Sequence, residues 1–113
     1  GSMISTLVVR TWFSGAHDLG SGTMCTKMHG HRWSVKVSVA EDRNRFPDPD
    51  AFQRAVIALR YELHLRNVTD MIMPSIADVH GIAAWFMERL SIRYPISEVE
   101  VWQDDELGSK LQK

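Results

Sequence analysis

The chain has 113 residues, of which 44% are hydrophobic and 24% charged, and its formal net charge is -1 at pH 7. These values predict one globular domain over residues 3–113, and Gly1 and Ser2 before Met3 are interpreted as an expression-tag remnant. The near-zero charge gives no electrostatic reason to expect nucleic acid, and without an apolar run of ~18 residues we expect no membrane partner. A single cysteine cannot form an internal disulfide, which favours a cytoplasmic location.

The first half of the chain carries two strand patterns separated by a loop pattern. Residues 4–13 are apolar and β-branched, which predicts a strand buried on both faces. Residues 14–24 are rich in glycine and serine and predict a loop. Residues 32–39 alternate between polar and apolar side chains, which predicts a half-buried strand. If this strand begins at His29-Gly30-His31, both histidines point to its buried side.

Two helices are predicted in the middle of the chain. In Pro47-Asp48-Pro49, Asp48 fits an N-cap and Pro49 the first helical position. An apolar stripe at helical spacing follows, made of Phe52, Val56, Leu59 and Leu63. Ser75 and Asp78 fit a capping box, so we expect a second helix from Ser75 that ends before Pro95.

The strand and helix patterns together predict the fold class. Val99 and Val101 alternate with polar residues as a third strand, and a short fourth strand is expected around residues 107–111. The order β-β-α-α-β-β predicts an α+β domain with an antiparallel sheet of four strands. A sheet this small exposes its edges, which favours a homo-oligomer.

Three histidines form the candidate metal site. His29 and His31 would share one face of a strand, and His17 from the nearby loop could complete a facial set. Three imidazoles leave one position for water or substrate, as in catalytic zinc sites. We interpret Gly30 as letting the backbone come close where ligands converge. On spacing alone, the favoured interpretation is histidines at a loop-to-strand junction without a metal, and a resemblance to a known family decides for the metal.

Two segments carry a resemblance to a known family. Phe13-Ser14-Gly15-Ala16-His17-Asp18-Leu19 and Cys25-Thr26-Lys27-Met28-His29-Gly30-His31 closely resemble the 6-pyruvoyl-tetrahydropterin synthase family, which includes the 6-carboxytetrahydropterin synthases of queuosine biosynthesis. Gly81-Ile82-Ala83-Ala84-Trp85 and Val99-Glu100-Val101-Trp102 extend the similarity more loosely. The resemblance implies the T-fold, or tunnelling fold, with two helices on one face of the sheet. It also implies subunits assembled edge to edge into a barrel, as trimers or hexamers with active sites between subunits.

The resemblance assigns roles to four residues. His17, His29 and His31 match the zinc ligands of the family, and Cys25 matches its catalytic cysteine, which moves a proton beside the substrate side chain. Zinc would polarise a substrate hydroxyl or carbonyl while the thiolate takes up a carbon-bound proton. The alternative for Cys25 is a small buried hydrophobic residue. Zinc and iron both stay open as the native metal.

The chain departs from the family pattern at its catalytic Asp-His pair. The aligned residues are His64-Leu65, so a leucine takes the place of the family's histidine. His64 or the nearby Asp70 could substitute in proton transfer. Alternatively, His64 merely sits at a helix C-terminus, where a partly positive imidazole is favoured.

A second departure concerns substrate binding. The family's pterin-anchoring glutamate is replaced by Gln103, whose amide would set an NH₂ against a pterin N–H. A lost charge-assisted hydrogen bond and an unpaired buried donor together cost roughly a hundredfold or more in affinity. Asp78 and His80 stand where the family has a Thr-x-Glu-Asn helix start. Asp78 and His80 are candidate substrate-binding residues, and the alternative for His80 is an ordinary histidine on a helix surface.

Three functions follow as hypotheses. The first is a zinc enzyme of this family whose pocket serves a non-pterin small molecule, with carbonyl chemistry on a heteroaromatic or amino-acid-derived substrate such as a Pictet–Spengler condensation. The second is a genuine 6-carboxytetrahydropterin or 6-pyruvoyl-tetrahydropterin synthase acting on 7,8-dihydroneopterin triphosphate, in which Asp105 or Glu106 replaces the anchor. The third is a non-catalytic binding subunit stabilised by zinc.

Overall fold

Five strands form one sheet in the order β3-β1-β2-β4-β5, in a computed structural model that describes residues 5–18, 28–40 and 47–113. In chain order the strands are β1 Leu7–His17, β2 His29–Val39, β3 Arg66–Asn67, β4 Ile96–Gln103 and β5 Leu107–Gln112. Neighbouring strands are antiparallel except for β3, which pairs parallel with Gly15 and Ala16 of β1.

Three helices complete the α+β domain: α1 Pro49–Tyr61, α2 Val68–Ile72 and α3 Val79–Ser91. Each begins at a side chain that caps it, since Asp48, Asn67 and Asp78 accept hydrogen bonds from backbone N–H groups in the first turns. The helices cover one face of the sheet. The core between helices and sheet is apolar and fully buried, and its largest members include Phe13, Trp33, Phe52, Ile82 and Phe86.

The register of β1 and β2 determines where the histidines lie. Pairing is continuous from Leu7 opposite Val39 to His17 opposite His29. Because side chains alternate between faces along a strand, every second residue of both strands points toward the helices. On β1 this set ends at His17, and on β2 it begins with His29 and His31.

The other face of the sheet carries no helix among the described residues and combines charged side chains with exposed tryptophans. Lys36 and Glu100 form an ion pair across β2 and β4 at 3.5 Å. The indole N–H of Trp102 donates to Glu100 at 2.6 Å. This hydrogen bond, with Lys36 and Lys110 nearby, holds the pKa of Glu100 below its usual value. Trp12 is 55% exposed on the same face.

The structure corrects the predicted start of the chain. The segment predicted as a loop from residue 14 continues as strand to His17, and residues 19–24 lie outside the described part. Gly15 is needed there because a Cβ would lie 2.6 Å from Cγ2 of Val68. Burial of β1 on both faces is also wrong, since Val8 is 45% exposed and alternates with buried Val9.

The middle of the chain differs from the prediction in three further ways. Asp48 caps α1 as expected, but the helix ends at Tyr61, and buried Leu63 lies in the turn after it. The second long helix begins at Val79 with Asp78 as its N-cap, not at Ser75. Between the two long helices lie β3 and α2, which the sequence pattern did not reveal. Within the described residues, no helix is long and apolar enough to cross a membrane.

Candidate metal centre

Three imidazoles converge at the end of β1 and β2. One ligand nitrogen from each of His17, His29 and His31 lies within 4.8 Å of the others. The Nε2 atoms of His17 and His29 are 3.0 Å apart, as their direct pairing across the strands dictates. His31 joins them because it is two residues beyond His29 on the same face.

His17 is held from behind by a backbone carbonyl. Its ring is 1% exposed, and its Nδ1–H donates to the carbonyl oxygen of Ala77 at 2.5 Å, in the connection between α2 and α3. A carbonyl oxygen can only accept, so Nδ1 carries the proton and Nε2 the lone pair. Burial lowers the pKa of His17, an effect that the Ala77 carbonyl partly offsets and the two neighbouring histidines reinforce.

His31 meets a carboxylate on the opposite side of the group. Its Nδ1 is hydrogen-bonded to Oδ2 of Asp104, while Oδ1 of Asp104 accepts the backbone N–H of Arg32 at 2.9 Å. The Arg32 N–H and the contact with His31 hold the pKa of Asp104 below its usual value. Within the described residues, Nε2 of His31 is buried and has no hydrogen-bond partner.

The three nitrogens fit a metal ion such as zinc. Imidazole nitrogen is a favoured zinc ligand, and two such nitrogens on a tetrahedral zinc lie about 3.3 Å apart, close to the spacing of His17 and His29. A ligand on Nε2 of His31 would also satisfy a polar atom that is otherwise orphaned among the described residues. In the metal-free protein, His29 can donate its Nε2–H to His17, and a metal would replace that proton.

An indole forms the apolar floor of the site. Trp33 is fully buried, with its ring centroid 5.0 Å from that of His17 and 5.6 Å from that of His31. The Trp33 indole N–H donates to the carbonyl of Gly15 at 3.1 Å, which satisfies its polar edge. A cavity of about 630 Å³ adjoins the group at His31, and it is lined among others by Ala16, Gly30, Arg32, Arg66 and Asp104.

Comparison with known proteins agrees with this geometry. The sequence matches the family described as 6-pyruvoyl tetrahydropterin synthase over residues 6–112, which is nearly the whole chain. The chain belongs to the 6-pyruvoyl tetrahydropterin synthase family. This is a family of lyase-type enzymes. No curated protein matches the chain by sequence.

Solved structures of the same fold confirm the T-fold. The Caenorhabditis elegans 6-pyruvoyl tetrahydropterin synthase superposes with a TM-score of 0.83 at 16% identity, covering 98% of this chain and 96% of that one. An uncharacterized protein from Wolinella succinogenes gives a TM-score of 0.77 at 14% identity, with 99% of both chains covered. A catalytic-residue mutant of Plasmodium vivax 6-pyruvoyltetrahydropterin synthase gives 0.63 at 11% identity, again over 99% of both chains.

The structure describes two of the three residues predicted for proton transfer, and these two have separate hydrogen-bond partners. Cys25 lies outside the described residues. His64 accepts the backbone N–H of Ser14 on Nδ1 at 3.1 Å, at the edge of β1 where β3 begins to pair. Asp70 is exposed in the first turn of α2, where its carboxylate accepts a hydrogen bond from the Asn67 side chain at 3.0 Å. The structure thus gives His64 and Asp70 structural contacts of their own.

The residues predicted for substrate binding are spread along the sheet and α3. Gln103 ends β4 directly opposite Trp33, is half-buried, and shares the strand parity of buried Val101. The carboxylate of Asp78 caps α3 by accepting the N–H of Gly81 at 2.8 Å. His80 is exposed and contacts the Ser109 hydroxyl of β5 at 2.7 Å. Of the three, Gln103 belongs to the strand end that adjoins the metal group.

The role inferred for Gly30 is wrong. A Cβ at Gly30 would meet nothing within 4 Å among the described residues, so no close backbone approach from them requires glycine there. Two groups that sequence reasoning missed are Asp104 and the Ala77 carbonyl, which hold the rear nitrogens of His31 and His17. Pairing the predicted strands would have placed the turn after Gln103 near His31, which is the one signal that pointed to Asp104.

Proposed function

We propose that this protein is a zinc-dependent enzyme of the 6-pyruvoyl tetrahydropterin synthase family whose pocket serves a substrate other than the standard pterin. The three converging imidazoles, with His17 and His31 each held at the rear nitrogen, support the metal part of the proposal. Gln103 supports the substrate part, because it stands where the family resemblance expects a glutamate, at a half-buried position beside the metal group.

A bound zinc ion would supply Lewis-acid polarisation of a substrate oxygen. The chain's own groups would bind and orient the substrate and move its proton. The cavity at His31 is open to solvent in the single chain and offers room for a small molecule beside that histidine. Cys25, four residues before His29, is the proposed proton acceptor, with His64 and Asp70 as candidates to assist it. Gln103, His80 and Asp78 are the proposed substrate contacts.

Condensation of an amine with an aldehyde or ketone is the reaction class we propose. Such a reaction needs a polarised carbonyl oxygen and a group that removes one proton from carbon, and these are the two roles that the metal and Cys25 would fill. In a Pictet–Spengler closure the amine adds to the carbonyl carbon with loss of water. The aromatic carbon then attacks the iminium carbon and releases its proton.

The active enzyme is proposed to be a cytoplasmic homo-oligomer, a trimer or hexamer with sites between subunits. The basis is the family resemblance together with the outer edge of β1, of which β3 pairs only Gly15 and Ala16 in the part of the chain that the structure describes. The unpaired remainder of a strand edge is a ready surface for a second copy.

The decisive experiment offers 7,8-dihydroneopterin triphosphate to the zinc-loaded wild type and to a Gln103→Glu variant. We expect one metal per subunit and no triphosphate release from the wild type. The variant should bind the pterin about a hundredfold more tightly or better, because it restores a charge-assisted acceptor. Pterin binding can be followed by fluorescence and turnover by triphosphate release.

Two outcomes would overturn the proposal. Turnover by the wild type that disappears in Cys25→Ala would make the protein a genuine pterin synthase. A Cys25 thiol that reacts with iodoacetamide no faster than an ordinary free cysteine would favour the non-catalytic zinc-stabilised subunit, since a catalytic thiol has an unusual pKa.

A further inference from the structure

Asp104 occupies a turn that fixes its side chain beside the metal group. It is the first residue after β4, and both Asp104 and Asp105 have positive φ, 51° and 60°. The backbone N–H of Asp104 donates to the carbonyl of Arg32 at 2.7 Å, which continues the pairing of β2 and β4 by one residue. The turn therefore returns the Asp104 carboxylate over β2, next to His31.

Both carboxylate oxygens of Asp104 have defined partners. Oδ1 accepts the backbone N–H of Arg32 at 2.9 Å, and Oδ2 accepts Nδ1–H of His31. An ionised carboxylate has no proton to give, so the proton of this hydrogen bond belongs to His31 Nδ1. In a neutral imidazole the lone pair is then on Nε2, the buried atom that lacks a partner within the described residues.

We propose that Asp104 is a positioning residue of the metal centre, which holds His31 in the tautomer and orientation whose Nε2 binds the metal. The inference rests on the proposed metal function of the three histidines and adds a residue that the sequence motifs did not include. A carboxylate behind a ligating histidine fixes the ring and raises its basicity, and losing such a group typically costs about 10–100-fold in metal affinity.

An amide cannot replace this carboxylate. The Arg32 N–H and the His31 Nδ1–H are both donors, whereas an asparagine side chain offers only one acceptor oxygen. In the Asp104→Asn variant, an amide oxygen that stayed on the Arg32 N–H would leave the amide NH₂ facing His31. That NH₂ favours the tautomer in which Nδ1 accepts and Nε2 carries the proton, which blocks the atom that would bind the metal.

The test compares Asp104→Asn with Asp105→Asn. Asparagine tolerates positive φ as aspartate does, so both variants keep the turn. Asp105 is the matched control because it shares the turn, the charge, the exposure and the backbone conformation of Asp104, whereas the hydrogen bonds to His31 and Arg32 belong to Asp104. Zinc affinity is measured by competition with a chromophoric chelator, and cobalt(II) absorption reports the ligand field.

We expect zinc affinity to fall about 10–100-fold in Asp104→Asn and to stay within about threefold of wild type in Asp105→Asn. Long-range ¹H–¹⁵N spectra of the metal-free proteins show which imidazole nitrogen carries the proton. A purely structural role of Asp104 would leave this tautomer unchanged. His31 should carry its proton on Nδ1 in the wild type and in Asp105→Asn, and on Nε2 in Asp104→Asn.

Each result decides the question. Equal zinc affinity of Asp104→Asn and wild type, or a proton on Nε2 of His31 in the wild type, would overturn the positioning role. The wild-type spectrum reports this even if Asp104→Asn fails to fold. Wild-type protein that binds no zinc at all would instead refute the proposed function, and so the two failures are distinguishable.

Discussion

Gly81 controls how closely the connection before α3 packs on that helix. A Cβ at this position would lie 1.7 Å from the carbonyl oxygen of Ile76 and 2.8 Å from its carbonyl carbon. These are backbone atoms, so no side-chain rotation can relieve the contact. The next residue is Ala77, whose carbonyl accepts from His17. A Gly81→Ala substitution therefore tests the packing of α3 and the support of the metal centre together.

The expected cost follows from three terms. The Ile76 backbone must retreat by more than 1 Å, and overpacking of this kind costs about 1–3 kcal/mol. A displaced Ala77 carbonyl would leave the buried Nδ1–H of His17 unpaired at a cost of about 1–3 kcal/mol. Alanine in a helix returns up to about 1 kcal/mol relative to glycine. The net loss of unfolding free energy is about 1–5 kcal/mol, or roughly 4–20 °C in Tm for a domain of this size.

Urea unfolding followed by circular dichroism measures this loss directly. Gly30→Ala is the matched control, because its Cβ would meet nothing within 4 Å in the part of the chain that the structure describes, and the glycine has no positive φ. We expect Gly30→Ala to stay within about 0.5 kcal/mol of wild type. A Gly81→Ala protein as stable as Gly30→Ala would refute the close approach of Ile76 to α3.

Three further predictions concern packing, pH and metal removal. Gly15→Ala should lower the unfolding free energy by about 1–3 kcal/mol, because its Cβ would contact Val68. The double variant with Val68→Ala should lose at least about 1 kcal/mol less than the sum of the two single losses, since Val68→Ala removes the contact. Strictly additive losses in urea unfolding would contradict this. Because burial sets the pKa of His17 below its unfolded value of 6.5, the unfolded chain binds the proton more readily. The metal-free protein should therefore lose stability as pH falls below about 6.5 and change little above it, whereas equal urea midpoints at pH 7.5 and 5.5 would be the contrary result. Zinc at a hundred times its Kd should stabilise the protein by about 2.7 kcal/mol in thermal melts. Removing the zinc with a chelator, or substituting His29→Ala, should abolish this stabilisation. His80→Ala is the control and should retain it, since His80 contacts Ser109 outside the three-histidine group.

The regular strands were predictable because their signal is local. Alternation of polar and apolar residues in residues 32–39 predicted β2 and its buried face, and the same period predicted β4. The short elements were not predictable, since a two-residue strand and a five-residue helix have too few residues for any period. The start of α3 was misjudged because Asp78 was taken as the capping-box partner of Ser75, whereas Asp78 is itself the N-cap. In the structure Ile76 packs closely against Gly81 in the segment before α3, a contact that no local sequence pattern reveals.

In the candidate site, too, only the residues with a local sequence signal were predictable. The three histidines come from motifs that a sequence displays, and their convergence follows from strand parity once His17 is placed on β1. The groups behind them are distant in sequence: Ala77 lies 60 residues from His17, and Asp104 lies 73 residues from His31. No local pattern marks a backbone carbonyl as a partner of an imidazole. An aspartate in a tight turn is ordinary turn chemistry until the register of β2 and β4 is known.

The geometry divides the metal centre between two kinds of structure. The nitrogens that would bind the metal come from paired strands, whose register holds His17 and His29 face to face. The groups that orient the rings come from connections, with Ala77 before α3 and Asp104 after β4. The hydrogen bonds between paired strands hold the three histidines in place. The positions of Ala77 and Asp104 depend instead on how α3 and the β4–β5 hairpin pack. Metal affinity should therefore respond to changes in those connections, and Gly81→Ala should weaken zinc binding although Gly81 belongs to α3 and not to the three-histidine group.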